Sequence, residues 1–375
     1  MSKLIINNED KGGKLLASGS SSCIFKPSIP CKNSSDEPNN NKLSKIIYGS
    51  KSNKYFNREK KMNSIINNID GYKSWCLIFD TFCKPPTYDN IFKLYDENIT
   101  DCLDEYYEEK FNDTSNMMIG DYGGITFEEY FINEIIKNKS KKNIDIHVYS
   151  LFKKMKTLFI GLNKLYNNNI SHLDIKTNNI VLHNNTFKYI DFGFSSKLND
   201  SQLKNRSLSE YDTHRYYLWY PIEYIFSYTT EKELNNELYD FNSKKYRKHY
   251  EKGIKIYNLF NRNFKHTIES VLYNNNNNIN HNNLNSMIDT YSLGILLPFL
   301  FVDYNITKFI NKSKFIKDIF KLFSEMCEPD HEKRIKPNIC LKKYNELLKK
   351  YSSLDKSKKL NKSKKKSKKL SKRIK

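Results

Sequence analysis

The stretch from Val148 to Gly193 constrains this chain more than any other. Val148, Leu151, Phe152, Met155, Leu158, Phe159, Leu162 and Leu165 recur at spacings of three and four. That period predicts an amphipathic helix over 147–170 with one apolar stripe turned to a core. A polar run follows, His172-Leu173-Asp174-Ile175-Lys176-Thr177-Asn178-Asn179. It falls between a helix and a strand, where a loop is expected. Ile180 to Leu182 and Phe187 to Ile190 then read as two short strands around an Asn184-Asn185 turn, ending on Asp191-Phe192-Gly193.

The residue types in this loop suit phosphoryl transfer, which needs positioning and charge more than covalent chemistry. Asp174 can receive and orient an attacking hydroxyl. Lys176, two residues on, can set a positive charge near a moving phosphoryl group. Asn179 offers a neutral oxygen and Asp191 a carboxylate, the hard donors that Mg²⁺ prefers. Either segment alone is a weak signal; the two at this spacing are specific.

Together they resemble the catalytic loop and the metal-binding triplet of eukaryotic-type protein kinases. The resemblance implies an α+β, bilobal fold with a small β-rich N-lobe and a larger helical C-lobe. It implies catalytic roles for Asp174 and Lys176, metal binding by Asn179 and Asp191, and ATP with Mg²⁺ as cofactors. Upstream, Ala17-Ser18-Gly19-Ser20-Ser21-Ser22 looks like a glycine-rich phosphate loop in which only Gly19 is kept, with small residues at Ala17 and Ser22. Lys45 stands where the family places its strand lysine, and Glu59, in a helical stretch over 57–69, where it places the partner. Asp121-Tyr122-Gly123-Gly124 is similar to the link between lobes, and Ile24, Leu43 and Val181 would then hold the adenine. Downstream, Pro221-Ile222-Glu223, Asp289-Thr290-Tyr291-Ser292-Leu293-Gly294 and Arg334 look like the family's substrate platform, with Glu223 paired to Arg334.

The resemblance covers residues 12–350: an N-lobe over about 12–120, a C-lobe over about 121–350 and an Asn- and Lys-rich insertion over 228–286. In style the chain is similar to kinases of large DNA viruses. Leu173 departs from the family, which often has an arginine there to receive an activation-loop phosphate. Lys176 inclines the reading to Ser/Thr acceptors in protein substrates. The degenerate loop at Ala17 and Ser22 keeps open a silent kinase-fold scaffold.

Charge bears on partners. The formal net charge is +21, and Lys356 to Lys375 holds twelve Lys or Arg and no acid; without that tail the balance is +9. Residues 351–375 read as a basic disordered tail, suited to non-specific contact with nucleic acid or an anionic surface. The oligomeric state is open. The seven cysteines lack a C-x-x-C pair and are odd in number, which argues against a zinc site and a disulfide framework and for a reducing compartment. The longest apolar run, Tyr291 to Val302, is short for a bilayer and holds Pro298. These features imply an intracellular, cytoplasmic protein of a host cell or virion, with nuclear entry through the tail as an alternative.

Overall fold

The computed structural model describes residues 13–18, 22–94, 108–138, 144–198, 218–226, 244–274 and 281–355. It divides into two compact units, one of Met1–Gly124 with Ile190–Phe194, the other of Ile125–Tyr189 with Ser195–Lys375.

The first unit is built on an antiparallel sheet in the order β1-β2-β3-β5-β4. Its strands are β1 (Lys14–Ser18), β2 (Ser22–Lys26), β3 (Lys42–Ile47), β4 (Phe79–Cys83) and β5 (Asn116–Asp121). β3 lies in the middle, so both its faces are covered and Ser44, Lys45, Ile46 and Ile47 are all buried. Alternation sorts them. Ile46 lies opposite Cys23 and Met117, and these three join Phe25, Ile29, Tyr88, Ile91 and Phe111 in one cluster. Tyr88 and Phe111 come from helices α2 (Tyr88–Leu94) and α3 (Glu108–Thr114). On the other face Ile47 and Met118 pack with Phe56 of helix α1 (Ser52–Asn67). Lys45 lies opposite Ile24 and Met118, so it shares the α1 face.

Cys31 and Cys83 form a disulfide across 52 residues, with a Cα–Cα distance of 5.9 Å. Cys23 is disulfide-bonded as well. This corrects the expectation of no disulfide framework and removes its support for a reducing compartment. Local spacing says nothing about pairs made by topology: the loop after β2 and the end of β4 meet on one core cluster.

The second unit is mainly helical. Chain order gives α4 (Phe127–Glu134), α5 (Ile144–Lys154), α6 (Lys156–Asn167), β6 (Ile170–Ser171), β7 (Ile180–His183), β8 (Thr186–Tyr189) and β9 (Ser196–Lys197). Then come α7 (Ile222–Phe226), α8 (Lys244–Leu259), α9 (Phe264–Asn274), α10 (His281–Asp303), α11 (Lys314–Met326) and α12 (Pro337–Lys350). The helix expected over 147–170 is two helices, broken at Met155, whose amide is shared between the Leu151 and Phe152 carbonyls; the whole apolar stripe is still buried. β7 and β8 pair through Asn184 and Asn185, both at positive φ, the backbone a two-residue hairpin turn requires.

α10 begins within the Asn-rich stretch read as an insertion over 228–286. Ser286–Asp303 is long and apolar enough to cross a membrane, yet 83% of it is buried in the fold, which makes it a core helix. Gly294 lets α11 approach: a Cβ there would stand 2.6 Å from that of Met326. Tyr351 and Asp355, read as tail, instead bond Asp318 and Lys153. Lys356–Lys375 lies outside the described residues.

Candidate active site

In the first unit, three charged groups meet on the α1 face of the sheet. Lys45 Nζ is 3.0 Å from Glu59 Oε2 and 2.9 Å from Asp191 Oδ1. Glu59 is on the packed face of α1, in line with Phe56, Met62, Asn63 and Ile66, at helical spacing. A carboxylate there must find a cation. Burial alone would pull the Lys45 ammonium toward neutrality; Asp191 and Glu59 overcome it and hold its pKa above the ordinary lysine value. Burial pushes Glu59 above its ordinary range, and one cation shared with Asp191 offsets that only in part.

The triplet is fixed tightly. Asp191 has φ +62, and the Gly193 amide donates to its Oδ1 at 3.4 Å. A Cβ on Gly193 would stand 3.0 Å from Glu59 Oε2 and 3.2 Å from Asp191 Oδ1, so any larger residue would push on both carboxylates. Phe192 is buried. Of the residues expected at the nucleotide, Ala17 is exposed and paired with Ile24 at a bulge. Ser22 opens β2, and Ile24 and Leu43 are half-buried. Gly19 lies outside the described residues. Val181 belongs to the second unit, where it is buried and bridges to Thr126.

In the second unit, Asp174 is 6% exposed. Lys176 Nζ is 2.9 Å from its Oδ2, and Asn179 Nδ2 donates to the Asp174 carbonyl at 2.9 Å and to Oδ2 at 2.7 Å. With its amide nitrogen engaged there, Asn179 keeps Oδ1 as the atom of the type a hard cation takes. Asp191 in the first unit and Asn179 in the second are each of the oxygen-donor type that magnesium takes.

The loop around Asp174 is held mostly through its backbone. Asp289 accepts from the amides of His172 at 2.5 Å and Leu173 at 2.9 Å. Ser195 Oγ donates to the His172 carbonyl at 3.1 Å, and the Asp174 amide donates to His172 Nδ1 at 3.3 Å. Thr177 Oγ1 donates to Glu128, which also accepts from the Tyr304 hydroxyl. Below the loop Arg334 pairs with Glu223 and donates to the carbonyls of Glu328 and Met287. Burial raises the Glu223 pKa, with Arg334 opposing. Sequence reasoning missed Glu128, Ser195 and Tyr220. Their partners are carbonyls or hydroxyls far along the chain, and no spacing signals such contacts. Asp289 was visible as a motif residue, not as the anchor of the loop. Ser207, Ser209 and Thr213, candidate modification sites in the intervening segment, lie outside the described residues.

Residues 93–220 match the family model described as protein kinase domain, about a third of the chain. No curated protein matches. Sheet, helices and match together give the fold class: α+β, a protein kinase fold with a small antiparallel β-sheet N-lobe and a helical C-lobe. The matched stretch supports protein kinase chemistry.

Proposed function

We propose that the chain is an ATP- and Mg²⁺-dependent protein kinase that phosphorylates Ser and Thr side chains. The observation that carries this reading is Lys45 held between Glu59 and Asp191. In this fold the strand lysine acts on nucleotide phosphates only when its helix glutamate holds it in place. That pair is formed here despite the degenerate loop at Ala17 and Ser22. Magnesium-bound ATP supplies the phosphoryl group. In this reading Lys45 neutralises phosphate charge, and Asp191 and Asn179 would each give an oxygen to metal. Asp174 orients the acceptor hydroxyl and takes up its proton. Lys176, beside Asp174, stabilises charge on the transferred group and favours Ser/Thr over Tyr acceptors. The Lys356–Lys375 tail, with twelve basic residues, would add weak, salt-dependent attachment to an anionic partner.

The test is transfer of labelled γ-phosphate to a peptide array. Wild type should label Ser and Thr peptides, and Asp191→Ala should lower the rate at least about a hundredfold. Equal, near-background counts from both proteins would sink the activity and leave the silent scaffold. Labelling confined to Tyr peptides would overturn the acceptor class alone.

A further inference from the structure

Leu173, the residue before Asp174, has φ +63. A γ-branched L-residue in the left-handed region is strained and persists only where its surroundings fix it. Both sides of the residue are fixed here. Its amide donates to Asp289, and its carbonyl accepts from the Tyr220 hydroxyl at 2.6 Å. Tyr220 is 3% exposed and Leu173 is 1% exposed, so water does not compete for that bond and the carbonyl depends on protein donors.

Tyr220 is itself well anchored. Pro221 follows it and disfavours helical backbone at position 220, so α7 starts only at Ile222. The Tyr220 ring packs edge-on against Tyr224 at 5.3 Å. The preceding carbonyl, that of Trp219, accepts from Ser292 Oγ at 2.6 Å, and the Trp219 ring lies 4.6 Å from Phe299. The hydroxyl therefore comes from a segment pinned to α10, the helix that also supplies Asp289.

We infer that Tyr220 is a positioning residue, whose hydroxyl holds the Leu173 carbonyl and thereby sets the orientation of Asp174. The inference rests on the kinase reading above. It adds that a neutral hydroxyl, requiring no phosphate, ties the segment before Glu223 to the loop that carries the base. Tyr220→Phe keeps the ring and its packing and removes only the donor. It should lower kcat about tenfold, the loss expected for one hydrogen bond, with KM for ATP changed less than about twofold. Amide hydrogen exchange should rise in the peptide covering 170–180 and stay unchanged over 288–303. A merely structural role would move exchange in both peptides and the melting temperature with them. A kcat within about twofold of wild type overturns the inference. If wild type transfers no phosphate, the kinase reading fails by itself. The exchange experiment then still decides: unchanged exchange over 170–180 in Tyr220→Phe overturns the positioning role.

Discussion

The two units hold their site residues by different means. In the first, side chains hold side chains: Lys45 joins Glu59 and Asp191 by charge-assisted hydrogen bonds. In the second, side chains mostly hold backbone, with Asp289, Ser195 and Tyr220 gripping the amides and carbonyls of His172 and Leu173. Buried charge is expensive to leave half-made, at about 3–5 kcal/mol when one partner goes. A neutral hydrogen bond to backbone contributes about 1 kcal/mol. The first arrangement therefore depends on protonation and fails abruptly. The second spreads its hold over several bonds, so the loss of one costs little stability.

The largest effect tests this contrast inside the second unit, which also has a buried pair. Arg334→Ala strands Glu223, 4% exposed, and removes donors from the Glu328 and Met287 carbonyls. Stability by denaturant unfolding should fall about 3–5 kcal/mol. Ser292→Ala, which loses a hydroxyl donated to Trp219 and Ile288, should cost about 1 kcal/mol. Equal costs would break the comparison.

Next comes a covalent tie of the first unit. Replacing Cys31 and Cys83 by Ser frees a loop of 52 residues, and the loss should be about 4 kcal/mol in the chain-entropy account. The melting of the sheet should shift accordingly. Cys327 and Cys340 of the second unit are buried thiols, raised in pKa by burial, and should resist alkylation in the native protein. Rapid labelling of either would show that the helical unit opens more readily than its packing implies.

What the sequence shows and hides follows the same division. The loop and triplet that carry Asp174, Asn179 and Asp191 were legible as motifs because they are short, ordered segments with fixed spacing. Lys45 and Glu59 were legible by order along the chain, and strand alternation and helix period explain why they meet. The disulfide was not legible, because Cys31 and Cys83 become neighbours only through the sheet order β3-β5-β4. Tyr220 was invisible for a related reason. Its partner is a carbonyl, which every residue has, so no residue type at position 173 announces the bond. The break at Met155 escaped because a tight turn between two helices leaves the apolar period intact.

The smallest effect is a slope, and it sharpens the comparison most. Glu59 titrates above its ordinary value of 4.5 because of burial, with Lys45 opposing. Lys45→Met removes that opposition, so the pKa of Glu59 must climb further. An acid whose folded pKa exceeds its unfolded one binds more protons folded than unfolded between the two values. Its contribution to stability therefore falls as pH rises through that window. Unfolding free energy of Lys45→Met should decline upward from about pH 4.5, by at most about 1.4 kcal/mol per pH unit for one proton. Wild type should decline less steeply, since Lys45 is protonated throughout this range; its own contribution is lost only as pH rises above the ordinary lysine value of 10.5. Tyr220→Phe removes a bond between a hydroxyl and a carbonyl, neither of which titrates there, so its cost should be the same at every pH in the window. Parallel slopes for Lys45→Met and wild type would mean that charge does not govern the first unit. A sloping cost for Tyr220→Phe would mean that the loop of the second unit is governed by charge after all.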